Sequence, residues 1–239
     1  MKINKTLSLV AAAGMVVGIS GCVGDDKNLW ISDNDGDLGY VNVETGEVTL
    51  VGNTGVTMTD IAFDPEGNLY GITFTDLYSI DKETGVATLI GNHQNDSGAK
   101  NALVFSKDGT LYSAWDALYT IDPATGMSTL IGNAGDVYRS SGDLAFFKDE
   151  LYMSSHDEVN GGDELLVMST LDGSALGVGS LGEEATFYGL SANKNTLYTV
   201  QGTTIYSVDP ETGVLTEEAS FADQGLGAGY GSAFETEAK

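Results

Sequence analysis

One cysteine, three prolines, two histidines and two tryptophans are all that 239 residues contain of these types, and ten lysines and arginines face thirty-five aspartates and glutamates. Each shortage excludes something. With Cys22 alone, no intramolecular disulfide can form and no cysteine cluster can hold zinc. His93 and His156 lack metalloprotease spacing, and no G-x-S-x-G elbow is present. A formal charge of −25 repels phosphate backbones and anionic lipid surfaces, so nucleic acid is not an expected partner. Long apolar runs are missing too. The one extended stretch, Leu7–Ile19, is too short to cross about 30 Å of hydrocarbon comfortably.

That stretch follows Lys2 and Lys5 and precedes Ser20-Gly21-Cys22. A charged head, a short apolar core and small residues before a cut site describe a secretory signal. "GISGC" resembles the bacterial lipobox, whose cysteine is acylated and becomes the mature N-terminus. The expected organisation is a signal peptide at 1–21, a tether at 22–28 behind a lipidated Cys22, and one domain over 29–237. The expected address is the cell envelope, held in the membrane through N-terminal acylation. In a Gram-negative cell, Val23 rather than Asp after the cysteine suits the outer membrane.

The chain repeats itself. "LYSIDKETGVATLIGN" (77–92) returns as "LYTIDPATGMSTLIGN" (118–133), and weaker copies begin at Gly39, Leu165 and Ile205. Their turn glycines, Gly46, Gly85, Gly126, Gly173 and Gly213, are spaced 39, 41, 47 and 40 apart. Side chains around Asp81 alternate as in a strand. Asp81, Asp122 and Asp209 are placed to accept turn amides, and the glycines supply the positive φ. A second strand pair precedes each hairpin, as in "DIAFDPEGNLYGI" (60–72) and "ALVFSKDGTLYSA" (102–114). Four short strands every forty-odd residues predict an all-β fold, a β-propeller of four-stranded blades. "KNLWIS" (27–32) lacks an inner strand and "GSAFETE" (231–237) lacks a partner, so joining them makes five blades and closes the ring. Small residues at Ala62, Val104, Ala145, Ser191 and Ala233 are expected at a crowded axis. Trp30, Tyr70, Tyr112, Tyr152 and Tyr198 are expected between blades.

These motifs resemble the repeats of bacterial NHL-like and YVTN-like propellers over essentially Leu29–Phe234. The resemblance implies a binding platform more often than an enzyme. "SIDKETGVATLI" is also similar to the quinoprotein repeat "A-x-D-x-x-T-G-x-x-x-W", but Ile90 and Ile131 stand where tryptophan is expected. That departure speaks against quinone chemistry. It leaves open a cofactor-free relative, such as the outer-membrane assembly lipoproteins built on similar repeats.

One face of such a ring gathers the dissimilar loops, and loops on a repeated frame carry function. His93, Trp115, Tyr138, Arg139, His156, Phe187 and Tyr230 fall there and form the expected surface for a protein or glycan partner. No resident cofactor is expected, with one alternative: Asp33, Asp35 and Asp37 of "DNDGD", with Glu44 at the twelfth position, have the alternation of a calcium loop. Gly36 lies one place early for that motif, and a polar hairpin turn explains the same residues. No catalytic residues are assigned. The rival reading is a glycoside hydrolase or lyase acting on polysaccharide with Asp60 and Asp143, which share one register at the mouths of inner strands two and four.

Overall fold

The computed structural model describes residues 26–93, 99–157, 159–182 and 186–239. The proposed signal peptide, Cys22 and residues 22–25 of the tether lie outside them. Blade one holds β1 (Asn28–Asp33), β2 (Asp37–Asn42) and β3 (Val48–Asn53). Blade two is β4 (Asp60–Phe63), β5 (Leu69–Ile72), β6 (Asp76–Ile80) and β7 (Ala87–Asn92). Blade three is β8 (Ala102–Phe105), β9 (Leu111–Ala114), β10 (Leu118–Ile121) and β11 (Ser128–Gly132). Blade four is β12 (Ser140–Phe147), β13 (Glu150–His156), β14 (Asp163–Met168) and β15 (Ala175–Gly182). Blade five is β16 (Gly189–Ala192), β17 (Leu197–Gln201), β18 (Thr204–Val208) and β19 (Leu215–Ser220). The last strand, β20 (Gly229–Phe234), returns to pair antiparallel with β1, setting Trp30 opposite Ala233, and becomes the inner strand of blade one. Five four-stranded antiparallel sheets result, and no helix occurs among the described residues. The protein is a five-bladed β-propeller.

The inner strands β20, β4, β8, β12 and β16 pack side by side around the axis. Five apolar clusters lie in the five seams, each drawing on two neighbouring blades. Repetition makes these seams alike. The aromatic on each second strand meets a phenylalanine at or next to the end of the next inner strand: Trp30 meets Phe63, Tyr70 meets Phe105, Tyr112 meets Phe146, and Tyr198 meets Phe234, with centroids 5.1–5.7 Å apart. Such ring pairs add about 0.5–1.5 kcal/mol to area burial. Tyr152 has no ring there, because the fifth copy ends in Ala192.

The small inner-strand residues face a different place from the one the sequence suggests. Ala62, Ala145 and Ala233 sit in the seam clusters. Crowding at the axis is met two residues earlier. A Cβ on Gly231 would stand 2.5 Å from the Asp60 Cα, and one on Gly189 would stand 2.7 Å from the Ser232 Oγ.

A second repeated device locks the rim. The glycine of each "LIGN" lies beneath the turn of the following blade, so a Cβ on Gly91 would run into the Thr125 carbonyl and stand 3.6 Å from Gly126 Cα. Gly126 itself has φ +76° and packs on the Gly91 backbone. The aspartates predicted to serve these turns do so. Asp81 accepts the Glu83 and Thr84 amides at 2.9 Å, and Asp209 accepts those of Glu211 and Thr212. Since the obstacle at Gly91 is backbone, it cannot rotate away. Gly91→Ala is expected to cost about 2–3 kcal/mol in urea unfolding, the scale of overpacking a fixed contact.

One turn breaks the local rule. Blades two and three turn with Gly67 and Gly109 at φ +84°, but blade four turns on Lys148 (φ 50°) and Asp149 (φ 67°). Left-handed backbone costs a residue with a Cβ about 1–2 kcal/mol.

Candidate functional site

Asp60 starts β4, Asp143 takes the same register within β12, and both are fully buried on the axis. An inner strand leaves one edge unpaired, and its amides need acceptors. Asp60 supplies them: Oδ1 takes its neighbour Ile61 N–H at 2.7 Å, and Oδ2 takes Leu103 N–H of the next blade at 2.5 Å. Asp143 repeats the pattern with Leu144 and Leu190, both at 2.7 Å, and its Oδ2 also lies 3.4 Å from Ser232 Oγ. Each carboxylate therefore staples its own blade to the next.

The two acids also touch. Burial pushes both well above the ordinary carboxylate range. For Asp60 the charge of Asp143 and the hydrogen bond between them add to the rise, whereas for Asp143 that bond works against it. Both carboxylates are closed to solvent and engaged by backbone amides.

The loop-rich face opens instead into a cavity of about 520 Å³, lined by Thr57, Thr59, Thr73, Phe74, Asn101, Trp115, Ser140, Ser141, Gly142, Tyr188 and Tyr230. Five of these form a set. Thr59, Asn101, Gly142, Tyr188 and Tyr230 each stand immediately before the first axial position of an inner strand (60, 102, 143, 189 and 231), one per blade. Phe74 and Trp115 occupy the corresponding turns of blades two and three. Their rings meet edge to face at 6.2 Å, while Tyr188 and Tyr230 meet at 5.3 Å on the arc of blades five and one. Phe74 and Tyr188 are half exposed, at 50% and 40%. Gly142 has no space for a side chain, because a Cβ would strike the Tyr188 backbone. The lining contains hydroxyls, an amide and aromatic rings, and no charged side chain.

Of the residues expected on this face, Trp115 and Tyr230 line the mouth, and the exposed Arg139 guanidinium sits 5.6 Å from the Trp115 ring. His156 is exposed, its Nδ1 3.6 Å from Asp163 Oδ1. Three others correct the expectation of exposure. Tyr138 is buried, and its hydroxyl donates to the Gly173 carbonyl at 2.9 Å, so it fastens blade three to blade four. Burial pushes its phenol far up. Phe187 is buried in the seam between blades four and five, its amide donating to Asp163 Oδ2 at 2.7 Å. His93 is fully buried, with Nε2 3.0 Å from the Thr73 carbonyl.

Asp33 is also turned inward. Its Oδ1 accepts the Asp35 and Asp37 amides at 2.9 and 2.8 Å, and Oδ2 accepts Gly227 N–H at 2.7 Å. Asp37 holds Asn53 Nδ2 at 2.7 Å, and Asp35 is exposed. Among the described residues no three acidic or histidine side chains converge as metal ligands. Asp33 is thus engaged in a turn that docks the 223–230 loop, and the three carboxylates do not converge as in a calcium cage.

Phe74 and Tyr188 are the site residues that sequence reasoning missed. The signal was present in the repeats: aligning one residue upstream of Asp60 yields the mouth ring, and Phe74 and Trp115 share a turn position.

No protein-family model and no curated protein matches the chain. Among solved structures, it is similar to a protein of unknown function from Bacteroides thetaiotaomicron VPI-5482, with a TM-score of 0.60 and 17% identity over 90% of this chain. It spans 64% of that structure's length. It is similar as well to a chain of the Nidogen/Laminin complex, with a TM-score of 0.61 and 10% identity over 89% of this chain and 99% of that one. A third likeness is to a symmetrical protein described for its de novo evolutionary emergence, with a TM-score of 0.53 and 21% identity over 88% and 95% of the two chains. At these identities the likeness shows the fold alone, a β-propeller, which is compatible with an interaction platform.

Proposed function

We propose that the protein is a non-enzymatic recognition module of the cell envelope, acylated at Cys22, that binds a neutral glycan in the mouth of its propeller. The lipid anchor rests on the N-terminal motif. The observation that carries the recognition reading is the composition of the mouth: four aromatic rings and a set of hydroxyl and amide groups, without one charge, in a chain of formal charge −25. Aromatic faces stack on the apolar faces of sugar rings, and hydroxyls and amides exchange hydrogen bonds with sugar hydroxyls. The volume suits a small-molecule-sized ligand. The titratable pair that could have done chemistry is sealed behind the mouth and occupied by backbone amides.

A glycan array run beside a pull-down from envelope extract tests the reading. Trp115→Ala is expected to weaken a captured glycan about 10- to 30-fold, as loss of an aromatic anchor does. Its melting temperature should stay near the parent's, since the ring is only half buried. Capture of a protein by the same mouth, with no glycan bound, would replace the glycan by a protein partner. Polysaccharide cleavage by the purified protein would overturn the non-enzymatic assignment.

A further inference from the structure

The opposite face holds a second cavity, of about 510 Å³, where lysines gather in an otherwise acidic molecule. Four of the ten basic residues in the chain, Lys107, Lys148, Lys194 and Lys239, line it. Three of them come from the repeat: Lys107, Lys148 and Lys194 sit in the turns after the inner strands of blades three, four and five. Blade two has Pro65-Glu66 at that place. In blade one ring closure interrupts the turn, and the segment after β20 delivers Lys239 instead. Tyr112 and Phe146 form an apolar wall.

Three acids, Asp108, Asp149 and Glu237, line the cavity as well, so the lysines outnumber them by one. Lys107 Nζ lies 2.8 Å from Asp149 Oδ1, but both side chains are more than half exposed, and water and salt screen such a pair heavily. Lys148 Nζ rests 4.7 Å from the Phe147 ring centroid. Lys239 leans on Glu235 at 3.3 Å, which it shares with Lys82 at 3.5 Å. Glu237 lines the cavity with its Oε1 buried, and burial, reinforced by the charge of Asp143, pushes its carboxyl well up. Lys148 holds its place in a left-handed backbone, where asparagine or glycine would be easier.

Position adds a second line of argument. The Asp26 carbonyl accepts Asn193 Nδ2 at 2.8 Å, and Asn193 lines this cavity. Asp26, four residues beyond Cys22 in the sequence, is therefore held at this face. From these observations we infer that the lysine-lined cavity is a binding site for a phosphate oxyanion, free or carried on a lipid headgroup. Ammonium groups from three blades and the C-terminal segment are suited to point-charge recognition of such a group. On an acylated chain, headgroup binding would hold an otherwise repelled, acidic molecule close to its leaflet and turn the aromatic mouth away from it. That orientation rests on the lipid-anchor reading; the oxyanion site does not.

The test uses the full chain carrying Cys22→Ser, so that acylation cannot mask weaker contacts. Calorimetry with inorganic phosphate at low ionic strength is expected to show binding that weakens at least tenfold in Lys107→Gln/Lys194→Gln and in Lys148→Asn. Lys148→Asn should melt no lower than the parent, because asparagine tolerates the left-handed turn, so lost binding cannot be ascribed to lost fold. Lys27→Gln, which removes an exposed pair with Glu44, should bind as the parent does. Co-sedimentation with phosphatidylcholine vesicles, with and without phosphatidylglycerol, identifies the source. Retention that needs the anionic lipid and the lysines points to the headgroup, and phosphate binding without retention points to a free oxyanion. Absent phosphate heats, or heats that all variants share, overturn the site whatever the vesicles do.

Discussion

A chain ending at Ala228 is expected to show no cooperative thermal transition and to bind hydrophobic dyes. The loss is β20, which supplies the inner strand of blade one through its pairing with β1 from Leu29 to Asp33. Without it β1 presents a bare edge to the axis. Phe234, fully buried, leaves the seam with blade five, and Ala233 leaves the seam with blade two. Phe234→Ala alone should cost about 3–5 kcal/mol. The full truncation adds the lost ladder and a second opened seam, which exceeds much of the 5–15 kcal/mol that typically holds a domain. A synthetic peptide of residues 229–239 should restore a transition by adding the missing strand in trans. Circular dichroism and a dye-binding melt decide the matter. A truncated chain that melts like the parent would mean that the ring does not depend on its closing strand.

That closure was readable because the two ends of the chain carry the two halves of one repeat. "KNLWIS" aligns with second strands and "GSAFETE" with inner ones, and a ring is the topology that lets distant halves pair. The aromatic seams were readable for the same reason, since one position per repeat packs in one way. What could not be read lies where copies from different blades meet. Asp60 and Asp143 are 83 residues apart, and their shared register said nothing of the narrowness of a five-bladed axis that brings them into contact. Burial in the loops was misread locally. Phe187 and Tyr188 are neighbours, yet one plugs a seam and the other rims the mouth. Strand alternation, extended two residues before the start of β16, tells them apart. Tyr138 is the harder case, because its partner, the Gly173 carbonyl, belongs to the turn of another blade.

Asp60→Ala and Asp143→Ala are each expected to lose about 2–5 kcal/mol of stability, because two buried amides lose their acceptor in each variant. The same pair predicts an unusual pH dependence. A carboxyl raised in the folded state binds its proton more tightly there than in the unfolded chain, so stability falls as pH rises from the ordinary carboxylate value of 3.8 through the raised folded values. Glu237 acts in the same direction, and so does relief of repulsion in a chain of charge −25. Opposing them are the turn aspartates Asp81, Asp122 and Asp209. Backbone amides hold these below 3.8, and their contribution is present above that value and lost as pH falls through the lowered ones. The two trends place the maximum of stability on the acid side of neutrality. Asp60→Asn, which keeps one acceptor and removes one titrating group, should flatten the decline above the ordinary carboxylate value. Urea midpoints measured across that range give the slope directly. Parent-like stability in both alanine variants, with a slope unchanged by Asp60→Asn, would free these carboxylates from the structural role assigned to them and return them to the list of candidate catalysts.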